Sequence, residues 1–141
     1  MKSQLTVYKA SAGSGKTFTL AREYMTLVIE NPYAYRTILA VTFTNKATEE
    51  MKLRILGQLY GIAHRLPESD QYIKQIHAAL PHLSDLQIRK NAEQALRLLI
   101  HNYNYFHVQT IDTFFQSVLR NLARELDLTA NLRIGLNDYQ V

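Results

Sequence analysis

A chain of 141 residues, 47% hydrophobic and 20% charged, holds enough apolar material for one globular domain and leaves little room for two. With no cysteine it excludes a disulfide framework and a thiolate metal site, and no apolar run reaches the roughly eighteen residues that a membrane span needs. No apolar leader follows the early lysine, so a cytoplasmic protein away from membranes is expected, and a net charge of +4 is compatible with a polyanionic partner without demanding one.

Residues Gln4 to Lys9, QLTVYK, read as a short strand. A Gly-rich turn follows. From Thr17, Phe18, Leu20, Ala21, Met25 and Val28 recur at helical spacing until Asn31-Pro32 ends the helix. Thr37 to Phe43, TILAVTF, is a continuous apolar run of the kind a buried parallel strand carries. Thr44 is placed to cap a following helix, with Ala47, Met51, Ile55 and Leu59 on one face. Strand, turn, helix, strand, helix is the order of an α/β sheet.

The middle is different. After Leu66-Pro67, residues 70–80 and 84–102 read as two helices separated by Pro81, forming a helical insert over about 66–102. Ser84-Asp85 is a cap candidate, and Leu86, Ala92, Leu96, Leu99 and Ile100 form the expected apolar stripe. Tyr105 to Ile111, YFHVQTI, returns to strand character. A last helix is expected from about Asp112 through Glu125, with Phe114, Phe115, Val118, Leu119 and Leu122 apolar, and the tail NLRIGLNDYQV has room for one short strand.

Three stretches carry chemistry. Ala10-Ser11-Ala12-Gly13-Ser14-Gly15-Lys16-Thr17 fits an alanine or glycine, four free positions, then Gly-Lys-Ser/Thr. Average residue usage makes an accidental match in a chain of this length roughly a one-in-a-hundred event. The match follows a strand and opens a helix, as a phosphate cradle must, because backbone N–H groups can wrap a phosphate only where no side chain intrudes. Lys16 would reach the β/γ-phosphates and the Thr17 hydroxyl would hold Mg²⁺. The bland alternative is a tight turn with an exposed lysine.

The second stretch is Val41-Thr42-Phe43-Thr44-Asn45-Lys46-Ala47, at the carboxyl end of the second strand, where open α/β sheets bind ligands. Phe43 could stack on a base while Thr44 and Asn45 bond a phosphate. Equally, Phe43 could be a core residue and Thr44 only a cap. The third, Val108 to Phe115, is again a strand-to-helix join, in which Thr110, Asp112 and Thr113 are cap candidates. The five histidines have no metal-ligand spacing: His77 and His82 lie five apart, His101 and His107 six apart. Tyr103, Tyr105 and Phe106 could stack nucleobases or enter the core. Glu49 and Glu50, on a helix with Lys46, Lys52 and Arg54, suit a solvated face.

Taken in order, the three stretches resemble the N-terminal part of superfamily 1 DNA helicases of the UvrD/Rep type. ASAGSGKTFTLA looks like their Walker A loop, LAVTFTNKATEEMKLRI is very similar to their motif Ia, and VQTIDTFFQSVLR looks like the motif after it. The form of the first loop and the helical spacer before the third resemble the RecB/AddA helicase–nuclease branch. The resemblance implies an incomplete RecA-like P-loop domain of α/β class with a helical insert. It implies ATP at Ala10, Ser11, Ala12, Gly13, Ser14, Gly15, Lys16 and Thr17, with Mg²⁺ on Thr17. It implies single-stranded DNA at Thr42, Phe43, Thr44, Asn45, Thr110 and Thr113.

Asp112 stands where many members have His, and a carboxylate repels a nearby phosphate, so capping suits it better than a DNA contact. The adenine-reading Gln expected upstream of the loop has no match, since Gln4 lies too close to it. In the family the Mg²⁺-binding Asp-Glu strand, the arginine fingers and the second RecA-like domain lie further along. The chain taken alone is therefore expected to lack turnover and to need the remainder of the helicase chain as its partner. Two other classes stay open on the residues: a small P-loop nucleotide kinase, which would carry an Arg-rich lid not seen here, and a non-catalytic single-strand-binding module indifferent to ATP.

Overall fold

A computed structural model describes residues 14–126. The expected first strand, Ala10 to Gly13 of the Gly-rich stretch, and the expected tail strand lie outside the described residues. In chain order the elements are α1 (Ser14–Glu30), β1 (Ala40–Thr42), α2 (Asn45–Ala63), α3 (Asp70–Ala79), α4 (Asp85–His101), β2 (Val108–Thr110) and α5 (Ile111–Glu125). Short 3₁₀ turns precede β1 at Pro32–Thr37, α3 at Pro67–Ser69 and β2 at Tyr103–Tyr105. The two strands pair in parallel, Ala40 with Val108, Val41 with Gln109 and Thr42 with Thr110. A parallel pair needs a long crossover, and α2, α3 and α4 supply it. The described residues thus form a mainly helical structure around a small parallel sheet, compatible with an incomplete α/β domain. No described helix is long and apolar enough to cross a membrane.

Helix α1 starts at Ser14, three residues before the expected Thr17, so Gly15, Lys16 and Thr17 lie in its first turn. It stops before Asn31, whose side chain accepts from the Tyr33 backbone N–H at 3.2 Å and so caps the turn that Pro32 opens. That turn takes up the start of the expected strand. Thr37 closes it with its hydroxyl donating to the Ala34 carbonyl at 3.0 Å, and β1 is left with three residues. The β-like run Tyr105 to Ile111 shortens in the same way: Tyr105 belongs to a turn and Ile111 to α5.

The helices expected as an insert share the core of the rest. Met25, Val28 and Ile29 of α1, Met51, Ile55, Leu59 and Ile62 of α2, Ile76 of α3, and Ile88, Ala92, Ala95 and Leu99 of α4 form one buried cluster. Helix α4 packs against both α1 and α2, and α3 against both as well. The Asn91 side chain donates to the Ile29 carbonyl at 2.7 Å, near the end of α1. Between α2 and α3, the buried Ser69 donates to Gln58 at 2.7 Å and sits where a Cβ on Gly61 would collide with it. Glycine at that position lets the two segments approach closely.

Two expected faces are corrected. On α4, Ser84 caps as expected, accepting from the Gln87 N–H at 3.1 Å, but Leu86 and Ile100 are 51% and 57% exposed. The buried stripe is Ile88, Ala92, Ala95 and Leu99, at i, i+4, i+7 and i+11, and positions 86 and 100 fall off it. On α2, Thr48 rather than Ala47 is buried beside Met51.

Candidate nucleic-acid interface

The parallel register brings the carboxyl ends of β1 and β2 together, because Thr42 and Thr110 are paired neighbours. Each strand end runs almost directly into a helix. Thr44 is the N-cap of α2, accepting from the Ala47 N–H at 3.0 Å. Thr110 is at once the last residue of β2 and the N-cap of α5, accepting from the Thr113 N–H at 3.2 Å. A threonine oxygen holds one of the free N–H groups at each helix start, while the others and the partial positive charge of the helix end remain available to an anion. Two such helix starts therefore leave one edge of the sheet.

The sequence-derived residues sort clearly on this edge. Phe43, in the two-residue link between β1 and α2, is 56% exposed, so it is not a core residue. Thr44, Asn45 and Thr113 are exposed and Thr110 is partly so. The Thr110 and Thr113 hydroxyls lie 2.9 Å apart, joined by a hydrogen bond. Asp112 is exposed in the first turn of α5, where a carboxylate suits the helix dipole, but the cap is Thr110. Thr42 is the exception. It is 2% exposed, and its hydroxyl lies 2.6 Å from that of Thr48 and within 3.3 Å of the Thr44 and Gln109 carbonyls.

Thr48 is the residue that sequence reasoning missed. Its hydroxyl, besides meeting Thr42, donates to the Thr44 carbonyl at 3.2 Å, one helical turn back. Thr42, Thr44 and Thr48 thus tie the end of β1 to the first turn of α2 and fix how Phe43 projects. The available signal was a threonine at i+4 from the cap, on the apolar face of an amphipathic helix.

The aromatic cluster before β2 is divided. Phe106 is buried at 3% exposure and tilts against Tyr24, with ring centroids 5.4 Å apart. Tyr103 and Tyr105 are exposed, yet their rings are faced by the protein's own cations, Lys52 at 4.8 Å and the Arg36 guanidinium at 5.6 Å. Arg36 also donates to the Tyr35 hydroxyl at 3.1 Å, which with the neighbouring phenols holds its pKa above the usual value.

Of the residues expected from the sequence to form a phosphate cradle, Ser14, Gly15, Lys16 and Thr17 occupy the first turn of α1, and Ala10, Ser11, Ala12 and Gly13 lie outside the described residues. A helix that opens within the motif presents its free N–H groups there, as phosphate binding requires.

Paired parallel strands whose carboxyl ends lead into capped helix starts form the kind of edge at which open α/β sheets bind ligands. The chain belongs to the UvrD/REP helicase N-terminal domain family, which matches residues 1–140. Among similar proteins, an ATP-dependent helicase/nuclease subunit of Thermoanaerobacter sp. (strain X514) is 35% identical over 128 residues, covering 89% of this chain and 8% of that protein. The RecBCD enzyme subunit RecB of Borreliella burgdorferi is 35% identical over 119 residues, covering 84% of this chain and 10% of the relative. DNA helicase II of Escherichia coli (strain K12) is 41% identical over 103 residues, covering 64% and 13%. The chain thus spans about a tenth of the length of these relatives. No solved structure matches it.

Proposed function

We propose that this chain is the N-terminal, nucleotide-binding part of an ATP-dependent DNA helicase acting in DNA repair or recombination, and that its described sheet edge contacts single-stranded DNA. The observation that carries the DNA half is the pairing of Thr42 with Thr110, which puts both threonine-capped helix starts on one edge beside an exposed Phe43. Phe43 stacks on a base, and Thr44, Asn45, Thr110 and Thr113 bond backbone phosphates with hydroxyl, amide and main-chain donors. The buried Thr42 hydroxyl is committed internally, so Thr42 serves the contact by holding the strand end in place.

Residues Ala10 to Thr17 form the ATP cradle of a RecA-like domain, supported by family membership and by the start of α1 at Ser14. Main-chain N–H groups at that helix end orient the phosphates, Lys16 neutralises the β/γ charge and the Thr17 hydroxyl ligates Mg²⁺. ATP with Mg²⁺ supplies the phosphoryl bond whose hydrolysis drives movement along the strand. The carboxylates that complete the metal site and activate water belong to the remainder of the longer protein, together with its second RecA-like domain. The piece 1–141 has no DNA-stimulated turnover of its own.

Lys16→Ala in the full-length protein tests the nucleotide half. ATP hydrolysis falls by about a thousandfold or more, as expected when a main electrostatic stabiliser of the transferring phosphoryl group is removed. Unwinding that persists in this variant refutes the assignment.

A further inference from the structure

Thr48 is the one polar side chain among the buried residues of α2, whose others are Met51, Ile55, Leu59, Gly61 and Ile62. An apolar residue of similar shape would fill the position with no hydroxyl to satisfy, and a buried hydroxyl costs stability unless it is bonded. The helix does not ask for it either, since a threonine that bonds back to the carbonyl four residues earlier slightly destabilises a helix. The Thr48 hydroxyl makes that bond, to Thr44 at 3.2 Å, although the Thr48 backbone N–H already holds the same carbonyl at 3.0 Å. Its other contact, at 2.6 Å, is the Thr42 hydroxyl.

Thr42 and Thr44 are the residues on either side of Phe43. The short contact between Thr42 and Thr48 uses one of the two hydroxyl protons. With Thr42 donating to Thr48 and Thr48 to the Thr44 carbonyl, one run of hydrogen bonds joins the residue before Phe43 to the residue after it. With the protons reversed, Thr48 donates to Thr42, and Thr42 reaches the Gln109 carbonyl at 3.3 Å, next to Thr110 on β2. Either order holds the link from inside the fold while Phe43, 56% exposed, is turned outward. A short link fixed from within has less freedom to lose when its ring meets a ligand, and freedom removed in advance strengthens binding.

We propose that Thr48 is a positioning residue for the strand contact. Buried and away from the strand, it acts through Thr42 and Thr44, holding Phe43 in the direction from which the ring stacks on a base. This role rests on the DNA reading of the sheet edge.

The test uses the full-length protein, a short fluorescent oligothymidylate and two matched pairs at position 48. The native threonine and Thr48→Val have nearly the same shape, and Thr48→Ser and Thr48→Ala both lack the methyl group, so each pair isolates the hydroxyl. The hydroxyl-bearing member of each pair binds about threefold or more tighter, as groups coupled in one network do, and Thr48→Ser stays within about twofold of the native protein. In a Phe43→Ala background the difference within each pair falls below about twofold. Equal binding by the serine and alanine variants, or a hydroxyl effect of the same size with and without Phe43, overturns the positioning role, while a DNA reading in which Phe43→Ala still weakens binding stands. A Phe43→Ala variant that binds as tightly as the native protein removes the DNA reading and the positioning role with it. If Thr48→Val does not fold, the serine and alanine pair decides.

Discussion

The two strand-to-helix junctions are chemically alike and mechanically different. Each ends a three-residue strand and caps a helix with a threonine hydroxyl, at 3.0 Å for Thr44 and 3.2 Å for Thr110. Helix α2, however, continues into the centre of the core through Met51, Ile55, Leu59 and Ile62, whereas α5 buries only Ala123 among the described residues. The first junction also has a two-residue link that sends Phe43 outward, while at the second Thr110 is both strand end and cap. A contact at the first junction is thus held by the whole fold, and one at the second by the local fit of a single helix. Rigid support on one side and an adaptable helix on the other would suit the proposed role of this edge in holding and releasing a flexible strand.

Substitutions separate the two junctions, and the largest effect is expected in the body of α2. Leu59→Ala removes a fully buried side chain and costs about 2–5 kcal/mol in chemical denaturation. Arg120→Ala on α5, an exposed position, changes stability by less than about 0.5 kcal/mol. A similar loss at both sites would mean that α5 is as integral to the core as α2.

The caps sharpen the same contrast. Thr44→Ala costs about 1 kcal/mol of global stability, because fraying the start of α2 also loosens the core behind it. Thr110→Ala speeds hydrogen exchange in the first turns of α5 with little change in the global unfolding midpoint. Equal shifts of the midpoint would erase the distinction.

A smaller effect is expected at Tyr24, on the core side. Its hydroxyl is buried without a hydrogen-bond partner among the described residues, and burial, with the neighbouring Tyr35, pushes its pKa well above the usual tyrosine value. In the unfolded chain the phenol ionises near pH 10, whereas in the fold it stays neutral. The associated stability is therefore complete below about pH 10 and declines as pH rises beyond it. Tyr24→Phe, followed by thermal melts from about pH 8 to 11, is expected to be neutral or slightly stabilising at the lower end and to flatten the alkaline decline.

Much of this was legible in the sequence, because short-range signals decide it. Thr44 and Ser84 cap where their positions imply, Asn31-Pro32 ends α1, and the spacing of Met51, Ile55 and Leu59 marks the buried face of α2. The strands are shorter than their apolar runs. A run such as TILAVTF records burial, and burial does not distinguish a strand from the turn that feeds it. The α4 stripe differs from the expected one because Leu86 and Ile100 are apolar but sit off the face that meets α1 and α2, and only the packing partner decides which leucines count. Phe43 was ambiguous between core and surface for the same reason. Its 56% exposure depends on the Thr42–Thr48 tie, a contact between a strand and a helix that no local pattern contains.

The central claim is that the edge shared by β1 and β2 grips single-stranded DNA through Phe43. Its most direct test is the affinity of the full-length protein for a short single strand, with and without Phe43→Ala, alongside the unfolding midpoint of each. Loss of one base–aromatic stack is worth about 1–3 kcal/mol, so affinity is expected to fall by roughly 5- to 150-fold while the midpoint stays where it was. Unchanged affinity, or a loss that merely follows a loss of stability, would contradict the account.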